Sequence, residues 1–406
     1  MRKPSDETLL VDTDLEKKLT LALQRFLEGA TGRISLNESA GGAIIQTVSC
    51  GNSLAIFYDG LKLSQADLIK GLVSIERTFG DIRSMSVPYC HFMLPVTFTH
   101  RKLEDAMDRH MTNQRPTATY LPDPFKYLAE INGISPEQLK KQVLNIRCVV
   151  FGVGFFMALP VLLAADPRQR LRCPKMNPSR TYTPQGCLAW GGSAMSICPV
   201  DAPGGYMPIG MTMPGVDIFG TKSGFTKEQP WIFQDMDTVE FYDVTEEEYD
   251  AEMMRFKSGS YKYRVQESTF DLAEHNELLK STADEVASLL KVRGKLQDEM
   301  AIKEKKILQE WLESKAAGNE ILDDINTDNP NPHIVESPVN ANVWKVPVKD
   351  RDVIRAGQKL AILEAMKMEI DICLDAHIEK ATVQKVLTQP SDTVVSERPL
   401  FVVSKF

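Results

Sequence analysis

Residues 361–372 read Ala-Ile-Leu-Glu-Ala-Met-Lys-Met-Glu-Ile-Asp-Ile. The centre of that run, Glu364-Ala365-Met366-Lys367-Met368-Glu369, decides how the C-terminal part of the chain is read. Ala361-Ile362-Leu363 before it and Ile370-Asp371-Ile372 after it are strand-like, so Lys367 falls where two strands reverse in a tight hairpin. A lysine at such a tip is held out in solvent. An attaching enzyme can reach it there, and a long acylated arm can sweep.

The surrounding segment, 334–406, consists of short Val-rich alternating stretches. Ser337-Pro338-Val339 and Val343-Trp344-Lys345-Val346 stand in its first half, Val383-Gln384-Lys385-Val386 and Pro399-Leu400-Phe401 in its second. This segment resembles the biotin carboxyl carrier domain, whose acceptor lysine sits in an Ala-Met-Lys-Met turn. Met366 and Met368 favour biotin over lipoate, because the lipoyl relatives usually set an acidic and a small residue beside their lysine. The resemblance implies a biotinyl/lipoyl-type β-sandwich, covalent biotin on Lys367 and a biotin protein ligase as partner. It also implies glycine at the turns, whereas the matching positions hold Ala341, Arg351, Ala381, Ser391 and Glu397, with only Gly357 kept. Where those turns need φ > 0, each non-glycine residue adds strain on the order of 1 kcal/mol.

Working back along the chain, Gly318–His333 contains four acidic residues, no basic ones and Asn-Pro twice, and reads as a linker, 318–333. As a flexible coil it would span roughly 20–24 Å. Before it, 271–316 carries Leu279, Val286, Leu289, Leu296, Met300, Ile307 and Trp311 at heptad-like spacing among Glu and Lys. That pattern predicts a helical connector, one long helix or a helix pair, whose single apolar stripe packs on its own chain, with Gly294 as the place where a bend could fall.

Residues 1–88 mix strand-like runs (Thr8–Val11, Ala43–Ser49, Ser53–Tyr58) with helical patterns (Leu15–Leu27, Gln65–Phe79), which predicts a small α+β unit. Residues 89–250 are rich in Pro and Gly. Their short apolar segments (Ile146–Val153, Leu188–Ile197, Thr238–Tyr242) and two helical stretches (Leu103–Met111, Pro136–Val143) predict a β-barrel or β-sandwich with a few helices. The longest apolar run, around Val149–Val161, holds Gly152, Gly154 and Pro160 and is too short to cross a bilayer, so it reads as buried core.

Composition excludes several classes. Of 406 residues, 43% are hydrophobic and 25% charged, which is ordinary for a folded protein, and the net charge of −8 argues against nucleic-acid or anionic-lipid surfaces. No membrane partner is expected. Seven scattered cysteines form no CxxC pair and have no His at metal-ligand spacing, so no metal site is expected. They read as reduced thiols in a cytoplasmic protein, and the N-terminus has no apolar signal region.

The region Tyr89–Tyr249 contains Tyr120-Leu121-Pro122-Asp123, Ile131-Asn132-Gly133, Asp166-Pro167-Arg168, Asn177-Pro178-Ser179-Arg180-Thr181, Gly191-Gly192 and Pro203-Gly204-Gly205-Tyr206, in that order. It resembles the carboxyltransferase part of urea carboxylase, also called allophanate hydrolase subunit 1-like, with a cyclophilin-like β-barrel. The helical segment followed by a biotinyl domain repeats that enzyme's C-terminal order. Two guanidiniums and several amide or hydroxyl donors in Pro-ordered loops suit the holding of a carboxylate. Arg168, Arg180 and Asp166 are therefore the candidate catalytic residues. Asn177, Thr181, Gly204, Gly205 and Tyr206 are the candidate substrate-binding residues.

The resemblance implies transfer of a carboxyl group from biotin to urea, giving allophanate. The chain shows no GxxxxGK[ST] and no phosphate-covering glycine run, so a biotin carboxylase and the other carboxyltransferase half are expected on a partner chain or a missing upstream segment. The family's Gln, Gly-Arg-Thr and Asp-Pro-Arg-His become Met207, Gly210-Met211-Thr212 and Asp166-Pro167-Arg168-Gln169, and its Gly-Asp loop becomes Gly154-Phe155-Phe156. These departures predict a more apolar pocket with weak urea binding. They also leave two alternatives open: a diverged non-catalytic biotin carrier or regulatory protein, and a 5-oxoprolinase-like subunit.

Overall fold

The strand Ser86–Thr97 buries Val87, Phe92, Leu94 and Val96, and at 12 residues it is long enough to serve three neighbours. Thr238–Asp243 runs parallel to it, while Met207–Thr212 and Arg264–Asp271 run antiparallel. In the computed structural model, which describes residues 2–5, 8–12, 42–50, 53–78, 86–320, 332–365, 368–394 and 396–405, this strand is the hub of a closed barrel. From Met207–Thr212 the ring continues through Cys187–Gly191, Ala194–Ile197, Leu159–Ala164 and Cys148–Gly154, then returns to Thr238–Asp243, seven strands in all. Leu94, Val150, Leu162, Leu188 and Ile209 help fill one continuous core.

The N-terminal strands extend this sheet instead of forming a separate one, since Cys50 pairs with Gly152. The expected helix Gln65–Phe79 is observed at Gln65–Thr78, and the expected helix Leu15–Leu27 lies outside the described residues. The run read as buried core is a hairpin of Cys148–Gly154 and Leu159–Ala164. Its tip departs from the expectation: Phe155, Met157 and Ala158 have positive φ, and Phe155 is 95% exposed. Alternation buries the strands, but the reversal needs left-handed backbone and cannot reach the core.

The barrel helices carry the start signals that their sequences offer. Asp123 caps Pro124–Ile131 by accepting from the Lys126 amide, and Ser135 with Gln138 forms a capping box before Pro136–Asn145. Glu246–Ser258 begins with a second box, Thr245 and Glu248, and ends at Gly259 in left-handed backbone.

The connector is two helices, Leu272–Ser281 and Ala283–Glu320. The interruption falls at Thr282 and not at the expected Gly294. Thr282 Oγ1 donates to the Leu278 carbonyl at 2.7 Å, which competes with helix continuation, whereas Gly294 sits within the 38-residue helix facing open space. The long helix packs on its own chain: Met300 joins the barrel core, and the Arg293 guanidinium donates to the carbonyls of Arg168 and Arg170.

The C-terminal unit is two four-stranded sheets around Val343, Leu363, Val383, Phe401 and their neighbours. Its halves repeat at an interval of about forty residues. The Arg351 amide donates to Val383 O while the Ser391 amide donates to Val343 O, and Val383 and Val343 donate in turn to the carbonyls of Asp352 and Asp392. Arg351, Ser391, Glu397 and Gly357 all have positive φ, between 68° and 78°. Three of the expected non-glycine turn positions thus hold left-handed backbone. Ala341 and Ala381 do not: both are buried strand residues.

Candidate functional site

The carrier hairpin has the register that its sequence implies. Glu364 pairs with Glu369 and Ala365 with Met368, while Met366 and Lys367 lie outside the described residues. Met368 is exposed. The hairpin does not stand away from the rest of the chain. Glu364 and Glu369, with Asn342 and Trp344 of the same unit, line a cavity of ≈ 270 Å³ closed on the other side by Gln114, Pro178, Ser179, Arg180, Thr181 and Pro203.

Arg180 is the charged residue on the barrel side of that cavity and is 1% exposed. Its guanidinium donates to Tyr206 O at 2.6 Å, to Thr183 Oγ1 at 3.0 Å and to Met176 Sδ at 2.6 Å, and its Nε is buried with no partner. All three acceptors are neutral. Burial pulls the Arg180 pKa below its ordinary value, and nearby thiols and Tyr120 oppose that pull only in part. A buried cation with neutral neighbours is a site where an anion is favoured.

Gln114 holds the wall beside it. Its Nε2 donates to Ser179 O at 2.8 Å, and its Oε1 accepts from the Thr181 amide at 3.3 Å and lies 2.8 Å from His110 Nδ1. Because Gln114 Oε1 can only accept, His110 carries its proton on Nδ1. Burial pushes the His110 imidazole down to about 4, and Arg180 and Arg115 reinforce that. Asn177 is held by its backbone, which exchanges hydrogen bonds with Tyr120 Oη and accepts from Arg115. Gly204 and Gly205 stand behind the wall. A Cβ on Gly204 would lie 2.8 Å from Thr183 Oγ1, and one on Gly205 would lie 2.8 Å from Ser179 Oγ, so their smallness lets this strand close on Arg180 and Ser179.

The structure therefore brings Arg180, Thr181 and the carrier hairpin together, with Asn177, Gly204, Gly205 and Tyr206 behind them. Asp166 and Arg168 do not line this cavity. Arg168 makes a two-pronged pair with Asp166 and reaches Glu285 of the long helix at 3.2 Å, and the Arg168 hydrogen bonds draw the Asp166 pKa below the usual carboxylate range. The departures at Met207 and Met211 also lie elsewhere. Both are fully buried in the barrel core, so they do not make the cavity apolar. Gln169 offers its carbonyl to Gln142. Sequence reading did not single out Gln114, His110 or Ser179 as site residues: Gln114 meets Ser179 and Thr181 across more than sixty residues, and the His110–Gln114 pair, though only four apart, gains its place at the site through those contacts.

One further cluster, His100 with Glu246 and Asp250, is explained without an ion. His100 Nδ1 accepts from the Lys102 amide as a helix cap, so its Nε2–H donates to Asp250 at 3.2 Å.

A family profile described as "Carboxyltransferase domain, subdomain C and D" matches residues 2–223. The chain belongs to this carboxyltransferase family. A second profile, "Biotin-requiring enzyme", matches residues 330–403, over the carrier unit. The carboxyltransferase chain is 42% identical to a putative urea carboxylase of Emericella nidulans, over 100% of this chain and 33% of the relative. It is 30% identical to the urea amidolyase of Saccharomyces cerevisiae, over 91% of this chain and 20% of the relative. The solved urea carboxylase of Kluyveromyces lactis superposes with a TM-score of 0.73 at 26% identity, covering 99% of this chain and 34% of that one. The chain spans about a third of the length of these urea carboxylases and is homologous to their carboxyltransferase and biotin-carrier region. Among the described residues, no helix is long and apolar enough to cross a membrane.

Proposed function

We propose that this chain is the carboxyltransferase and carrier part of a urea carboxylase-like enzyme, with biotin attached at Lys367 and urea as acceptor. The observation that carries the reading is the shared cavity: the two glutamates flanking the acceptor turn and the buried cation Arg180 line one space. When attached, biotin supplies a ureido nitrogen able to carry a carboxyl group. Arg180 offers that carboxylate a fixed positive charge, and the site needs no reorganisation to provide it. Gln114, held by His110, fixes the Ser179–Thr181 wall so that the acceptor is oriented. The carboxyl group that attached biotin would supply ends on a urea nitrogen as allophanate; its bond to the ureido nitrogen would break, and the N–H proton that urea loses would return to that nitrogen.

Asp166 and Arg168 contribute by fastening the long helix to the barrel, which sets where the carrier can land. Loading falls to a biotin protein ligase, and carboxylation to a biotin carboxylase on a partner chain or in a further segment, in the cytoplasm. The reading as a diverged, non-catalytic carrier loses its main support, because Met207 and Met211 lie in the barrel core and are not part of the cavity wall.

The test begins with intact-mass measurement after co-expression with a biotin ligase. One added biotin, abolished by Lys367→Arg, is expected. The biotinylated chain, supplied with a separate biotin carboxylase, ATP, bicarbonate and urea, should then form allophanate. An unlabelled chain, labelling that survives Lys367→Arg, or a labelled chain that discharges its carboxyl group without urea dependence, overturns the proposal.

A further inference from the structure

The two halves of the carrier unit are matched turn for turn, yet they are not matched in side chains. Arg351 and Ser391 occupy equivalent reverse turns with φ of 71° and 78°, and each donates its amide to the opposite half. In each turn the following aspartate accepts from the backbone, Lys349 to Asp352 and Gln389 to Asp392. These bonds close the turns without help from the Arg351 or Ser391 side chain. Left-handed backbone favours glycine here, so a side chain kept at either place calls for a reason.

At Ser391 there is one. Its hydroxyl donates 3.1 Å to the carbonyl of Thr112, in the last turn of the helix Arg101–Asn113, where no intrahelical amide remains to satisfy it. Ser391 is 9% exposed, whereas its counterpart Arg351 is exposed. The same asymmetry recurs one strand away. Trp344 is half-buried and faces the cavity, while the equivalent Gln384 is exposed.

We infer that the face bearing Ser391 and Trp344 is the docking surface by which the carrier unit seats on the carboxyltransferase barrel, and that Ser391 is the residue that latches it. The helix C-terminus at Thr112 receives the latch, and Gln114 and Pro203 lie in the cavity it closes. Serine at 391 exchanges the strain of left-handed backbone for a contact that exists only in the docked state. Removing the hydroxyl therefore weakens docking without weakening the carrier itself. The inference rests on the reading above for what docking achieves, but the contact itself does not depend on that reading.

Hydrogen exchange of the full chain, followed by mass spectrometry over residues 100–115 and 341–346, tests it. Ser391→Gly and Ser391→Ala should each raise exchange in both segments about threefold to tenfold, the equilibrium value of one neutral hydrogen bond. Ser391→Gly should do so with an unchanged or higher melting temperature. Arg351→Gly, which relieves the same backbone strain on the other face, should leave exchange there unchanged. Unaltered exchange in both Ser391 variants, or an equal rise in Arg351→Gly, overturns the inference. The rate of biotin attachment by a ligase separates this from the proposed function: a wild-type chain that accepts no biotin sinks the function, whereas the exchange result still decides the latch.

Discussion

Glu304, on the helix Ala283–Glu320, accepts a 2.6 Å hydrogen bond from the fully buried guanidinium of Arg115. The same carboxylate accepts from the amide and hydroxyl of Thr119, each at 2.8 Å. One side chain of the connector thus neutralises a buried cation beside the barrel and satisfies a loop, which makes the connector part of the carboxyltransferase body. Removing one partner of a buried pair leaves the other charge stranded. Glu304→Ala should therefore cost about 2–4 kcal/mol in denaturant melts. Glu285→Ala, which breaks a solvent-exposed pair with Arg168, should cost less than about 1 kcal/mol. Equal costs would show that the Arg115 site is not desolvated as described.

The strained turns give a second expectation. Arg351→Gly and Glu397→Gly should each stabilise the carrier unit by about 0.5–1 kcal/mol, because both native residues sit at positive φ. Thermal melts of the full chain followed through carrier signals would register the gain. A loss in either variant would mean that chain entropy in the unfolded state outweighs the relieved strain.

Stability should also depend on pH through His110. Its folded pKa is depressed to about 4, against about 6.5 unfolded, so between those values the unfolded chain binds a proton that the folded chain does not. The contribution is fully present above about pH 6.5 and is lost as pH falls toward 4, reaching about 3 kcal/mol. His110→Asn should flatten the stability curve in that window, as read from urea midpoints at several pH values. An unchanged slope would assign the acid sensitivity to other groups.

Activity should separate the two arginines that the sequence put forward. With the biotinylated chain and a separate biotin carboxylase, Arg180→Lys should lower kcat for allophanate formation by about tenfold to a hundredfold, the loss of a charge-assisted, forked contact. Arg168→Ala should change kcat by no more than a few-fold, since Arg168 pairs with Asp166 and Glu285 outside the cavity. A larger loss at Arg168 than at Arg180 would move the site.

Much of this protein was legible along the chain because its signals are local. The Glu364–Glu369 hairpin and the helices expected at Leu103–Met111 and Pro136–Val143 each depend on a few consecutive residues, and the carrier resemblance marked the left-handed turns at Arg351, Ser391 and Glu397. The helices Pro124–Ile131 and Glu246–Ser258, whose caps at Asp123 and Thr245 are just as local, were not read. Periodicity likewise located the connector and the barrel segments around Cys148–Gly154, Cys187–Gly191, Ala194–Ile197 and Thr238–Asp243. It did not locate the hub strand Ser86–Thr97 or Met207–Thr212, nor the break at Thr282, where a hydroxyl competes with the helix in a way no apolar pattern records.

Only the tertiary structure decided which of the marked residues share a site. It set Arg180 opposite Glu364 and Glu369, drew in Gln114 and His110, and turned Asp166 and Arg168 toward the long helix. It buried Met207 and Met211 in the core and gave Ser391, alone of two equivalent turn residues, a carbonyl to hold. The physical reason is the same throughout. Pattern fixes which way each strand and helix faces, but burial, ion pairing and docking are set by what another segment, often more than a hundred residues away, places opposite that face.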